Sequence, residues 1–136
     1  MMLGIGDVRD YIASLGITAN DHVYCGKLDS KLDKSIGVYP QKREGRAIQA
    51  VGGNKNSSYC IKSISILVHW NKSVKDTEKV SNTLFDKLRN AINVTINNTH
   101  MLFTCMQCPE PIPVDTDEKG IFEYVIELDF YYERND

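Results

Sequence analysis

Apolar and polar positions alternate most strictly from Ile121 to Tyr132, IFEYVIELDFYY. One face carries Phe122, Tyr124, Ile126, Leu128, Phe130 and Tyr132; the other carries Ile121, Glu123, Val125, Glu127, Asp129 and Tyr131. A period of two over this length predicts a long β-strand with one face on a core and the other wet or paired. At roughly 3.3 Å per residue it spans about 40 Å, so a helix or second layer must lie across it.

A second long strand is predicted from Tyr59 to Trp70, with Cys60, Ile64, Ile66, Val68 and Trp70 on one face. Its β-branched content suits the middle of a sheet. Between these strands the period changes. Val74, Val80, Leu84, Phe85, Leu88, Ala91 and Ile92 recur at helical spacing, with Lys, Asp, Glu and Asn opposite. The run Ser73 to Asp76 supplies a capping-box start for this helix, which is the expected cover for the sheet.

The remaining elements are shorter. Asp7 is placed to cap a helix running to about Leu15, with Val8 and Ile12 on its stripe and Gly16 beyond its end. His22–Gly26 and Ser35–Tyr39 read as strands joined by a polar turn or hairpin tip, Lys27–Lys34, and Pro40 stops the second. Ile48–Val51 reads as a brief strand before a glycine-rich turn, Gly52–Asn56. His100–Gln107 is a further strand, preceded by a loop from Asn93 to Thr99. Pro109, Pro111 and Pro113 are expected to prevent regular pairing after it, and Asp115–Gly120 turns the chain into the final strand. The order predicts a single α+β domain over residues 1–136: a mostly antiparallel sheet with helices packed on one face.

Composition narrows the function more than the fold. With 136 residues, 42% hydrophobic and 25% charged, the chain is of ordinary globular type. A formal charge of −2 gives it no overall attraction to nucleic acid or an anionic membrane. The first residues do not read as a secretory signal, and no window is long and apolar enough to span a bilayer. On that reading Cys25, Cys60, Cys105 and Cys108 are reduced thiols.

Cys105-Met-Gln-Cys108 has the spacing of zinc knuckles and dithiol redox sites. A structural zinc needs two further ligands, and Cys25, Cys60, His22, His69 and His100 would have to converge from distant strands. A redox pair normally opens a helix, whereas this one ends a strand and meets Pro109. A zinc-stabilised module or metal-dependent enzyme built on Cys105 and Cys108 stays open as an alternative. Glu123, Glu127 and Asp129 share a strand face and suit a solvated surface or a subunit seam better than a cation site. Gly4-Ile5-Gly6 and Gly52-Gly53 lack the partners that dinucleotide and phosphate loops require. Lys42, Arg43 and Arg46 form the most basic stretch, a possible phosphate contact in an accessory protein for nucleic acid. No catalytic residues and no cofactor are predicted.

The run from Lys34 through Ile36-Gly37-Val38-Tyr39 to Arg43, the strand ending Val68-His69-Trp70-Asn71, the helix after it, and the segment from Pro109 through Asp117-Glu118-Lys119-Gly120 to Tyr132 resemble the small minor capsid or tail terminator proteins of tailed bacteriophages. The resemblance implies a virion structural protein, assembled in the host cytoplasm and not an enzyme. It implies a ring, typically a hexamer, that caps the tail tube and joins it to the head connector, with DNA passing through its lumen. A head–tail completion protein of the neck is the near alternative. A head-to-tail ring needs two different complementary patches on each subunit. Segregation of charge places one at Glu123, Val125, Glu127, Asp129 and Tyr131, and the other at Lys42, Arg43 and Arg46.

Overall fold

The computed structural model describes residues 2–26, 33–41, 51–52, 58–114 and 116–134. The chain runs α1 (Ile5–Ser14), a 3₁₀ turn (Asn20–His22), β1 (Val23–Cys25), β2 (Ser35–Pro40), β3 (Tyr59–His69), α2 (Val74–Arg89), β4 (Ile92–Ile96), β5 (Thr99–Met106), β6 (Ile112–Val114) and β7 (Glu123–Glu133). The fold is α+β. Its sheet has the order β1-β2-β3-β7-β5-β4, with β6 paired to the free part of β7's edge beside β5.

Strand β7 is the spine of the sheet. It pairs along its whole length with β3, from Tyr59 opposite Glu133 to His69 opposite Glu123. On its other edge it pairs with β5 near its C-terminal end and β6 near its start. Because register fixes which side chains share a face, Ile64, Ile66 and Val68 align with Leu128, Ile126 and Tyr124 on the inner side. The first three pack with Ile126, Leu128, Phe130 and Tyr132 in one core. Both helices close that side: α1 buries Val8 and Ile12, and α2 buries Leu84, Phe85 and Leu88 in the same cluster. Neither the sheet nor a helix alone could bury its stripe, so the two layers form together.

At the start of α2 the Ser73 side chain accepts from the Asp76 amide at 3.2 Å, as the capping pattern predicts. Two turns on, Ser81 is fully buried and its hydroxyl finds no hydrogen-bond partner among the described residues. An unpaired buried hydroxyl opposes folding. Ser81→Ala is therefore expected to raise stability by about 0.5–1 kcal/mol, read as a higher urea midpoint at unchanged slope.

Several local expectations need correction. Helix α1 starts at Ile5, not after Asp7; the Asp7 carboxylate instead accepts the Gly4 amide from the third helical position, at 2.9 Å. Strands β1 and β2 are parallel, Val23 opposite Ile36, so Lys27–Lys34 does not close a hairpin. Strand β2 does end at Pro40, opposite Ile64, as expected. The expected strand Ile48–Val51 falls almost wholly outside the described residues, and Val51-Gly52 is a turn. Helix α2 stops at Arg89, and Ile92–Ile96 is a strand where a loop was expected from Asn93. It pairs antiparallel with β5 through the turn Asn97-Asn98, whose φ values of 42° and 71° suit a two-residue hairpin turn with both residues left-handed. Pairing also survives the prolines, because Pro113 lies in β6, opposite Tyr124, on a strand with a single neighbour.

Candidate assembly surface

With both helices on one side, the outer side of the sheet has no second layer within the described chain. Its centre is formed by β3 and β7, whose facing pairs are Ile61–Tyr131, Ser63–Asp129, Ser65–Glu127, Leu67–Val125 and His69–Glu123. On β2, Tyr39 folds back over Gly37, where an added Cβ would lie 2.8 Å from the ring. Only glycine leaves that space.

Glu127 and Asp129 on this face accept hydrogen bonds from neutral donors. The Gln41 amide donates to Glu127 Oε2 at 2.7 Å and to Gln107 Oε1 at 3.0 Å; Gln107 donates to Gln41 Oε1 at 2.6 Å and to Asp129 Oδ1 at 3.0 Å. Ser63 Oγ donates to the same Asp129 oxygen at 2.6 Å. In these bonds amides and a hydroxyl satisfy carboxylate oxygens without cancelling their charge. Asp129 is only 7% exposed, held well by these bonds.

Towards the end of β7 the surface becomes aromatic. Tyr131 stacks on Phe103 at 4.5 Å and on Tyr59 at 5.8 Å, tying three adjacent strands. Phe103 pairs across strands with Ile92, and these two are 45% and 65% exposed. A register shift between Met101 and Phe103 turns Met101 inward while Phe103 meets Tyr131.

The start of β7 is built around His69, which is wholly buried. Its Nδ1 lies 2.9 Å from Glu123 Oε2 and its Nε2 lies 3.5 Å from Asp117 Oδ2. A carboxylate only accepts, so Nδ1 carries the hydrogen. Asp117 in turn organises the preceding loop, because its Oδ1 accepts the amides of Lys119 and Ile121, both at 2.9 Å. Gly120 at φ 81° closes that turn. Burial works against ionisation of Asp117, but the Ile121 and Lys119 amides and nearby His69 hold its carboxyl below the usual range.

A depressed folded-state pKa contributes stability that is complete above the unfolded value, near 3.9, and is lost as pH falls through the folded value. The stability advantage of the native chain over Asp117→Asn is thus expected to hold at neutral pH and shrink below about pH 4. Urea titrations at a series of pH values check it.

The predicted site residues are thus brought together only in part. Glu123, Val125, Glu127, Asp129 and Tyr131 share the outer face as alternation required. Lys42, Arg43 and Arg46 lie outside the described residues. Gln41, Gln107 and Ser63, which hold the acids, had no signal in the sequence, since their bonds join residues far apart in the chain. Cys105 and Cys108 are free thiols, exposed and half-buried, and among the described residues no group of three His, Cys, Asp or Glu side chains is placed to hold a metal ion.

A family model described as bacteriophage tail terminator protein matches residues 4–134. The chain belongs to that family. No curated protein matches it. As a tail terminator, it is a component of the phage tail, and none of its helices is long and apolar enough to cross a membrane. The match covers every described element, so the open sheet face and the His69 cluster belong to the terminator domain itself.

Proposed function

We propose that this tail terminator forms a homo-oligomeric ring, most simply a hexamer, that caps the tail-tube protein and joins it to the head connector, leaving a lumen for DNA. Membership in the family supplies the terminator role. The observation that supports the ring is the outer face of β3 and β7, over which the described residues place no helix or second sheet. A sheet that the described helices cover on one side, with a stacked aromatic cluster, exposed Ile92 and the carboxylates Glu127 and Asp129 on the other, has the composition of a subunit contact: an apolar centre beside a polar rim. In this reading Tyr59, Phe103 and Tyr131 form the centre, while Glu127 and Asp129 lie in the rim and set register. Glu123 is already engaged by His69 and contributes charge rather than a free side chain.

Negative-stain imaging and sedimentation of the purified chain test this. Rings of uniform size at low salt, and the same rings at one end of tubes formed by the tail-tube protein, are the expected result. A monomer under all conditions would reject the ring, and rings that never associate with tubes would reject capping.

A further inference from the structure

Strands β1 and β4 stand at opposite ends of the sheet order, and each has one neighbouring strand among the described residues. Both nevertheless lie against α1. A flat sheet would set them about 24 Å apart, at about 4.8 Å per strand. The ten residues of α1 span only about 15 Å. The sheet therefore curls until both of its ends reach the helix.

Polar side chains tie each end. Arg9 Nε donates to the Val23 carbonyl of β1 at 2.9 Å, and its guanidinium also donates to the Asn20 carbonyl. The Gly26 amide donates to Val38 of β2 at 2.8 Å. Because backbone groups alternate sides along a strand, the Val23 carbonyl points the other way, to the outer edge. At the far end, Asn97 in the β4–β5 turn donates to Asp7 Oδ1 at 3.1 Å and to Asp10 Oδ2 at 2.9 Å. Arg9 Nη1 donates to Asp10 Oδ1 at 3.0 Å, so Asp10 joins the two ties. One chain of hydrogen bonds thus runs from Val23 through Arg9 and Asp10 to Asn97. The Asn97 amide and Arg9 hold the Asp10 carboxyl below the usual carboxylate range.

We infer that this chain is a clasp, which holds the curled sheet shut and keeps β1 and β4 from pairing with strands of a second copy. The inference refines the ring reading, because it leaves subunit contact to the faces of the sheet rather than to these edges. An open edge is a template for another strand, and proteins protect edges with short strands, charged side chains or a covering helix. Strand β1 has three residues and a capped carbonyl, while β4 is interrupted at Asn93, whose φ of 51° leaves the extended region. Exposed bonds such as those of Asp10 are individually weak, so the clasp can open while Val8 and Ile12 stay in the core.

The test uses Arg9→Ala, Asp10→Ala and Asn97→Gly in the full chain, glycine keeping the left-handed backbone of the turn. In Arg9→Ala and Asp10→Ala the Gly26 amide is expected to exchange about ten-fold faster, because β1 loses its outer tie. All three variants are expected to self-associate about ten-fold more tightly than the native chain, into open-ended species whose infrared amide band reports strand pairing between chains. Ile126→Val, a core change on β7, controls for lowered stability alone. Native exchange or native association in Asp10→Ala, which cuts both ties, would overturn the clasp. So would the same open-ended species from Ile126→Val. A native chain that stays monomeric rejects the ring but changes none of these comparisons, so the two readings fail separately.

Discussion

Phe130→Ala is expected to lower stability by about 3–5 kcal/mol. Phe130 has no exposed surface and sits in the C-terminal half of the spine strand, flanked by Lys62 of β3 and Thr104 of β5. Its ring meets Tyr11 of α1 edge-on, with centroids 6.4 Å apart and planes at 88°. Truncation loses the transfer free energy of the ring and leaves a cavity between the sheet and α1 that the β-ladder cannot collapse to fill. Domains of this kind are stable by only about 5–15 kcal/mol, so the variant would lose a large fraction of its reserve. Urea denaturation checks the size. Phe130→Leu, which keeps much of the volume, should recover more than half of the loss. A cost below about 1 kcal/mol for the alanine variant would show that β7 is not the spine of the core.

How much of this was legible depends on which physical signal carries each element. The faces of β3 and β7 were readable because a buried strand repeats every two residues over a long run, and nothing else produces that pattern. The inner stripe of α2 and the serine cap were readable for the corresponding helical reason. Strand β4 was lost because Ala91 and Ile92 continue the apolar spacing of the helix, and because its turn is Asn97-Asn98 rather than the more obvious Asn-Gly. Strand β6 was lost because proline argues against a strand unless the edge it occupies is known. The parallel pairing of β1 with β2 depends on α1 and the rest of the sheet, and no local residue encodes it.

The candidate surface divides in the same way. Alternation put Glu127 and Asp129 on the outer face, but their glutamine partners come from β5's end and from beyond β2, and only the finished sheet brings them together.

The second large effect is expected at His69, where the shape can be kept and the hydrogen bonding removed. His69→Phe should cost about 2–4 kcal/mol. The imidazole is wholly buried, opposite Ser35 on one neighbouring strand and Glu123 on the other. It is also the group that faces both Glu123 and Asp117. Phenylalanine fills the space but donates nothing, so two carboxylates at 18% and 17% exposure are left facing an apolar ring and each other. Partial access to water keeps the cost below that of a fully buried orphan charge. The loss should also be local. Asp117 holds the Lys119 and Ile121 amides, so these are expected to exchange with solvent faster in His69→Phe while the core amides of β3 keep their relative order. Glu123→Gln, which can still accept from Nδ1, should cost less than half as much. Equal exchange at Lys119 and Ile121 in both proteins would mean that the histidine is only core filling. If the prediction holds, Glu123 on the outer face is anchored from within the subunit by His69.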